Sequence, residues 1–285
     1  MRLILTTALV LLAFAGNSIL NRLALIGGEA GPAEFALIRT AGGAVALVLF
    51  ARLGGFRLSP SPRHVWSGAT LALYMIGFSF AYVTLETGVG ALILFGGVQL
   101  TMFAGAVLMG ERPPAARWIG SLIGMAGLAW LFLPGSSGGT DPAGAALMAA
   151  AALGFGIYSL IGRGSPAPLP DTAVAFVVAA PLTLAAWLLA GGSGVTPLGW
   201  ALALVSGIVT SATGYALWYW VLGRIASATA ALLQLTVPVI ALLGGVAILG
   251  ERPGLTEVLA GALVLGGVAF GILGSSARAA RADRS

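Results

Sequence analysis

Ten stretches of about 20 apolar residues make up most of the chain, and this pattern constrains the fold more than any other. A helix of that length crosses the hydrocarbon core of a bilayer, where every backbone polar group needs a partner within the protein. The ten predicted spans cover residues 3–25, 33–53, 65–85, 88–109, 115–133, 142–161, 172–190, 197–222, 227–249 and 255–273. The sequence therefore predicts an all-α integral membrane protein with ten transmembrane helices.

The second half of the chain repeats the first. The tetrapeptide Gly-Glu-Arg-Pro at 110–113 recurs at 250–253, an offset of 140 residues. Near the start of each half, three residues recur at an offset of 141, with Phe14, Ser18 and Arg22 matching Phe155, Ser159 and Arg163. Each copy holds five predicted spans, which is an odd number, so the two copies enter the membrane from opposite sides.

The repeat defines the predicted domain organisation. Residues 1–134 form the first five-helix repeat, 135–141 a linker loop, and 142–274 the second five-helix repeat, followed by a cytoplasmic tail at 275–285. Two inverted five-helix repeats are an architecture of secondary transporters, whose substrate sites lie between the repeats near the bilayer midplane.

Composition excludes several other classes of protein. Apolar residues make up 59% of the chain and charged residues only 8%, whereas a soluble domain carries about a quarter charged residues. The chain has no cysteine and one histidine, His64, which the sequence places in a basic loop. Disulfides, thiol chemistry and metal sites built from Cys and His are therefore excluded, and no cofactor is expected. The 14 basic residues, all arginine, are scattered singly over short loops, which does not suggest nucleic-acid binding.

The arginines predict the orientation of the chain. With the N-terminus inside, eleven of the 14 arginines fall on the cytoplasmic face. Only Arg22 and Arg252 fall on the opposite face, while Arg39 lies within a span. Cytoplasmic loops carry an excess of basic residues, so both termini are predicted to be cytoplasmic in a bacterial-type inner membrane.

Polar side chains concentrate on predicted spans 1, 3, 4, 6, 8 and 9. The repeat relates spans 1, 3 and 4 to spans 6, 8 and 9, and polar groups inside a bilayer usually face the bundle interior. These six spans are therefore expected to share a substrate cavity, with the other four as outer support. The polar candidates for substrate binding are Asn17, Tyr74, Tyr82, Gln99, Tyr158, Tyr215 and Gln234. The alternative is that these groups hold the helices together.

Aromatic residues form a stripe on two of these spans. Tyr74, Phe78 and Tyr82 are spaced four residues apart and so share one face of span 3. Tyr215 and Trp218 share a face of span 8, and Phe78 matches Trp218 at an offset of 140. Flat ring faces suit aromatic or cationic ligands, which adds Phe78 and Trp218 to the substrate-binding candidates. Alternatively, the stripes serve helix packing or interfacial belts.

Charged residues suggest how transport is driven. No carboxylate lies near the centre of a predicted span, and Glu34 and Glu86 fall near outer ends. A proton-coupled exporter of cations usually needs a deep acid, so the sequence favours facilitated movement down the substrate's own gradient. Arg39 has an apolar repeat counterpart near Ala180 and is interpreted as a structural charge. The alternatives are that Arg39 snorkels or holds a carboxylate or carbonyl.

Two further features concern helix ends and bending. Spans 4 and 9 close with charged pairs, Glu111–Arg112 and Glu251–Arg252, each followed by a proline that begins the next helix. We interpret these four charges as structural, with a turn-and-cap role. Pro238, near the middle of span 9, is expected to free a carbonyl and to bend the helix during gating.

These features resemble the drug/metabolite transporter superfamily, specifically its ten-span EamA-type family. The resemblance rests on the two five-span copies with their Gly-Glu-Arg-Pro turns, on Arg39 and on Pro238, and it covers nearly the whole chain. One departure is Val98, which stands where the repeat would place a counterpart of Pro238. The aromatic-rich interior resembles that of the aromatic amino acid exporters.

The resemblance implies an inner-membrane exporter of small metabolites that works by alternating access. Aromatic and other large neutral amino acids are the expected substrates, and the lipid bilayer is the expected surrounding. The alternative within the superfamily is an exporter of multiple drugs or cationic compounds. An intramembrane enzyme is not favoured, because the sequence offers no nucleophile with a base and no metal cluster. The oligomeric state is left open.

Overall fold

The computed structural model describes residues 1–110, 113–132, 141–163, 165–222, 224–225 and 233–282, and every structural statement below concerns these residues. This part of the chain is helical throughout its regular structure. Its one piece of β-type pairing is an isolated antiparallel bridge between Ala30 and Val195.

The first half contains five helices. They are α1 (Arg2–Ile26), α2 (Pro32–Leu53), α3 (Pro62–Ala81), α4 (Thr87–Leu108) and α5 (Ala115–Phe132). These bounds lie within four residues of the predicted spans, because prolines and glycines punctuate the apolar runs and only a few residues join one helix to the next.

The second half contains less regular helices. They are α6 (Pro142–Gly162), α7 (Pro168–Ala190), α8 (Pro197–Val205), α9 (Gly214–Leu222), α10 (Thr236–Gly244) and α11 (Leu255–Ala282). A π-helical segment, Ser206–Thr213, joins α8 to α9, and a second one, Gly245–Leu249, extends α10. The predicted span 8 is therefore one rod with an irregular middle, and π-helical turns are often found at functional sites.

Within the described residues, seven helices are long and apolar enough to cross a membrane. By length and composition these are Arg2–Ile26, Pro32–Leu53, Thr87–Leu108, Pro142–Gly162, Pro168–Ala190, Pro197–Trp218 and Leu255–Gly274. The all-helical, integral membrane class predicted from the sequence agrees with this finding.

Proline and N-cap side chains begin many of these helices. Proline stands in the first turn of α2, α3, α6, α7 and α8, where its missing N–H costs no hydrogen bond. Asp141 and Thr196 accept hydrogen bonds from Gly144 N (2.8 Å) and Gly199 N (3.1 Å), which caps α6 and α8.

Two local predictions are wrong. His64 lies in the first turn of α3, not in a loop, because its Nδ1 accepts the Ser61 N–H at 2.9 Å and closes the helix start. Tyr82 caps α3 and is not inside it.

The helices of the last two predicted spans have other bounds than the spans. The last helix continues past residue 273 to Ala282, since alanine and arginine are strong helix formers. Pro238 lies in the first turn of α10, which begins at Thr236, and residues 227–232 of predicted span 9 lie outside the described residues. The bend expected at Pro238 therefore stays a prediction.

Helices of the two halves interleave. In the bundle, α3 packs on α6 and α7, α2 packs on α7, and α4 packs on both α6 and α10. The pair α5 and α11 packs chiefly on each other. The two backbones come close at Gly120 and Gly267, where a Cβ on Gly267 would lie 2.7 Å from the Gly120 carbonyl oxygen.

Alternate loops meet at opposite ends of the bundle. At the end that we call the acidic end, loops 27–31, 82–86, 191–196 and 250–254 contact helix ends or one another, as in the Thr196 N–H bond to the Glu29 carbonyl (2.9 Å). At the other end, which we call the arginine end, Arg63 and His64 of α3 bind Asp171 of α7. This alternation follows from helices that each run the length of the bundle.

Gly267→Ala is expected to destabilise the fold, whereas Gly266→Ala is not. The added methyl group at 267 would meet backbone atoms of Gly120 and Gly124 within 3 Å, while the same group at 266 would meet nothing within 4 Å. Overpacking of this kind costs about 1–3 kcal/mol, and glycine to alanine in an open helix position gains up to about 1 kcal/mol. Thermal unfolding in detergent, followed by tryptophan fluorescence, measures both. Equal melting temperatures for the two variants would contradict the proposed contact.

Candidate functional site

A cluster of polar side chains lies buried where α1 crosses the π-helical segment. Ser206 donates to Asn17 Oδ1 at 2.8 Å, Thr210 also donates to this oxygen, and Ser211 Oγ lies 3.4 Å from it. All four side chains are buried. The wider spacing of a π-helix brings three hydroxyls to one side of the rod, and they surround the amide oxygen that α1 supplies. The cluster therefore joins the two halves of the chain.

Arg39 continues this cluster into α2. Its side chain is fully buried, its Nε donates to Ser211 Oγ at 3.1 Å, and its Nη2 donates to Tyr74 OH at 2.8 Å. The guanidinium carbon also lies 4.9 Å from the centre of the Phe78 ring, within range of a cation–π interaction. Span 2 was predicted to be outer support. Arg39 of this helix instead lies inside the bundle, in contact with Tyr74 and Phe78.

Aromatic rings form a continuous cluster beside these polar groups. The Phe155 ring lies 4.9 Å from Tyr74, 5.9 Å from Tyr158 and 6.1 Å from Tyr215, measured between ring centres. The Phe14 ring lies 5.8 Å from Tyr215 and 5.9 Å from Trp218. The two stripes predicted from the sequence therefore meet through the phenylalanines of α1 and α6.

The same stripe runs on from Tyr74 toward the acidic end. Ring centres are 5.4 Å apart for Tyr74 and Phe78 and 4.8 Å apart for Phe78 and Tyr82. Tyr82 is fully buried, and its hydroxyl lies 3.3 Å from the Thr87 carbonyl oxygen. The last ring of the stripe thus lies under the loop between α3 and α4.

The other candidates lie on α4 and around α10. Gln99 of α4 and Gln234, two residues before α10, are both half-buried. Pro238 is buried in the first turn of α10. Glu111 and Arg112 lie outside the described residues.

Glu251 closes the acidic end by binding a helix of the other half. Its two carboxylate oxygens each lie 2.9 Å from the backbone nitrogen of Thr87, and the Thr87 hydroxyl donates at 2.9 Å. Arg22 of α1 brings its Nε to 3.5 Å from Glu251, and its Nη1 donates to the carbonyls of Tyr82 and Val83. We call this group of Arg22, Tyr82, Val83, Thr87 and Glu251 the latch.

The latch revises the expected role of the Glu-Arg turn. Gly250 takes a left-handed conformation (φ +69°), which reverses the chain so that Glu251 points back over the bundle. Glu251 therefore caps α4, which is not next to it in sequence. The N-terminal end of a helix is partly positive, so this position stabilises a carboxylate. Arg252 is exposed beside it.

Three carboxylates, those of Glu86, Glu251 and Glu257, interact electrostatically at the acidic end. Partial burial, with the carboxylates of Glu251 and Glu257 close by, raises the pKa of Glu86, which precedes α4 directly. Without Arg22 these acids would repel one another at the same end of the bundle.

Phe14, Phe155 and Ser206 belong to the site but are not among the residues predicted from the sequence. Phe14 and Phe155 carry a signal, because they match each other in the repeat. Ser206 carries none, since a regular helix would not bring residues 206, 210 and 211 to one side as the π-helical segment does.

The arrangement is suited to binding a small molecule that has both polar and apolar parts. Hydroxyls, an amide, a guanidinium and ring faces are gathered in the bundle interior, and the described residues hold no group of three His, Asp or Glu side chains that could bind a metal. Such a set can replace the water around a small polar molecule while its apolar part lies against the rings.

Comparisons with known proteins agree with a transport role. The model of the EamA-like transporter family matches residues 142–273. The chain is 40% identical over 284 residues to an uncharacterized protein of Pseudomonas aeruginosa, with 98% of each chain covered. It is 30% identical over 175 residues to the uncharacterized transporter YwfM of Bacillus subtilis, with 58% of each chain covered. One protein of known crystal structure, 23% identical, shares the fold with a TM-score of 0.66 over 95% of this chain and 96% of that one.

Glu251→Gln is expected to open the acidic end. A cysteine at Ser18, which is 1% exposed and one helical turn below Arg22, reports this opening in a chain that has no other cysteine. Hydrogen bonds to a charged group contribute about 1.5–3 kcal/mol, so labelling by a membrane-impermeant thiol reagent should accelerate about tenfold or more. Arg252→Gln, at the exposed neighbour, is the matched control. An equal effect of both substitutions, or none from Glu251→Gln, would rule out the latch.

Proposed function

We propose that the chain, whose residues 142–273 match the EamA-like transporter family, exports aromatic and other large neutral amino acids across the bacterial inner membrane. The single observation that carries the proposal is the cluster in which Phe155 contacts the rings of Tyr74, Tyr158 and Tyr215 beside the buried polar groups. Ring faces match an aromatic side chain, and hydroxyls with an amide match the polar end of an amino acid.

We propose that the chain spans the membrane ten times as two inverted repeats, residues 1–134 and 142–274, joined by the 135–141 linker. The agreement between predicted and described helix bounds supports this arrangement, as does the alternation of loops between the two ends. Six of the described acidic residues lie at the acidic end or on helix turns next to it, and those of the eleven arginines expected inside that the structure describes belong to the other end or to the part of the last helix beyond residue 274. Cytoplasmic termini follow from that asymmetry.

Alternating access is the proposed mechanism. The latch joins Arg22 and Thr87 of the first half to Glu251 of the second, so it exists only when the acidic ends of both halves are together. Rocking of one half against the other would separate these groups and expose the aromatic cluster to the outside. The described arrangement then corresponds to a state closed toward the outside.

We propose that the substrate moves down its own concentration gradient by facilitated transport. Within the described part of the chain, the interior cluster contains no carboxylate that could exchange a proton for the substrate. The same cluster disfavours export of cationic compounds, because the buried positive charge of Arg39 lies among the ring faces that would receive a cation.

Trp218→Ala is expected to weaken binding of tryptophan or phenylalanine by between several-fold and about thirty-fold. Loss of stacking and apolar contact of this size corresponds to about 1–2 kcal/mol. Concentration-dependent flux of radiolabelled amino acid into proteoliposomes measures the change. Trp200→Ala, at a half-exposed position of α8, controls for general effects of removing an indole. Wild-type affinity in the Trp218→Ala protein, with normal insertion, would refute the aromatic path.

A further inference from the structure

We propose that Arg39 binds the carboxylate of the transported molecule and that the site selects monoanionic carboxylate ligands. The inference rests on the proposed transport function and names the ligand group that the site recognises. Its starting point is a nitrogen of Arg39, Nη1, which is buried and has no hydrogen-bond partner among the residues that the structure describes.

The partners of Arg39 leave one part of its guanidinium open. Nε is bound to Ser211 and Nη2 to Tyr74, so two hydroxyls hold one edge of the planar group in place. Nη1 supplies two of the five N–H donors of an arginine. A buried N–H group without a partner is costly, and a rigidly held one presents its donors in a fixed direction.

Helix packing alone does not account for these contacts. All partners of Arg39 are neutral, namely two hydroxyls and the rings of Tyr74 and Phe78, and no carboxylate of the described residues pairs with it. Burying an unpaired charge costs much more than burying a pair. A ligand carboxylate at Nη1 would remove both the unpaired charge and the unpaired donors, which makes Arg39 a binding residue as well as a contact between helices.

The charge of the site selects among anions. Arg39 is the one basic side chain that the described residues place in the interior cluster. A single guanidinium balances one negative charge, so a carboxylate fits the site, whereas a phosphate dianion would keep an unbalanced charge away from water.

The surroundings of Arg39 also indicate where the rest of the ligand lies. Tyr74, which binds Nη2, contacts Phe155, and the Phe155 ring continues to Tyr215. A ligand whose carboxylate binds Nη1 could therefore place its side chain against these rings. The ammonium of an amino acid has no carboxylate to pair with among the described residues of the cluster, which makes the ligand carboxylate the group that discriminates.

The test compares three indole compounds on the wild-type protein. Unlabelled tryptophan, indole-3-propionate (no ammonium) and tryptamine (no carboxylate) compete with radiolabelled tryptophan uptake in proteoliposomes, and each is also added to purified protein during thermal unfolding. Indole-3-propionate should compete and stabilise, while tryptamine should do so at least about tenfold more weakly. Equal competition by tryptamine would overturn the carboxylate site and leave amino acid transport standing.

Other outcomes separate this inference from the proposed function. Stabilisation by indole-3-propionate and not by tryptamine, without any tryptophan flux, would support the carboxylate site and refute amino acid export. Absence of both flux and stabilisation would refute both proposals.

Substitutions then assign the effect to Arg39. Arg39→Gln should abolish the preference for the acid over the amine, and Arg39→Lys should retain part of it, because lysine keeps the charge without the planar fork. Arg52→Gln, at the exposed end of the same helix, should keep the wild-type preference. An unchanged preference in a folded Arg39→Gln protein would contradict the assignment, and the wild-type comparison remains decisive if that variant does not fold.

Discussion

The bundle interior is organised around a guanidinium that has no counter-ion among the described residues. Arg39 is fully buried and is held by Ser211 and Tyr74, with Phe78 against its face. A charge at that depth is tolerated only if surrounding groups are fixed to receive it, since water is excluded. The π-helical segment supplies Ser211 for this purpose, and the same segment gathers the hydroxyls around Asn17. Positions of α1, α2, α3 and the α8–α9 rod are thereby set relative to one another.

The interior cluster and the latch occupy different regions of the bundle. The cluster gathers polar and aromatic groups of both halves, while the latch joins the halves at the acidic end, where Glu251 caps α4 and pairs with Arg22. At the arginine end, Arg63 and His64 join the halves through Asp171. The alternating access proposed above would require the contacts at the two ends to open in turn.

Much of the fold could be predicted from the sequence, because the residues that specify each helix lie within it or directly beside it. Apolar runs of bilayer length with proline at their starts predict helices, and the bounds of α1 and α6 agree within one residue. The site was harder to predict, because its geometry depends on long-range contacts. The repeat correctly marks Phe14 and Phe155 as a pair, but nothing local says that Phe155 contacts Tyr74. Likewise, no local sequence pattern predicts that Glu251 caps α4, because Thr87 is 164 residues away in the chain. None predicts the π-helical segment that brings Ser211 to Arg39.

Anomalous scattering from crystals grown with 5-bromotryptophan locates the bound ligand through its bromine, without any assumption about transport. We expect a bromine peak among the rings of Phe14, Phe155 and Tyr215, with the ligand carboxylate directed at Arg39. A bromine peak confined to the lipid-facing surface or to the loops, in crystals of protein that binds the compound in solution, would contradict a ligand site beside Arg39.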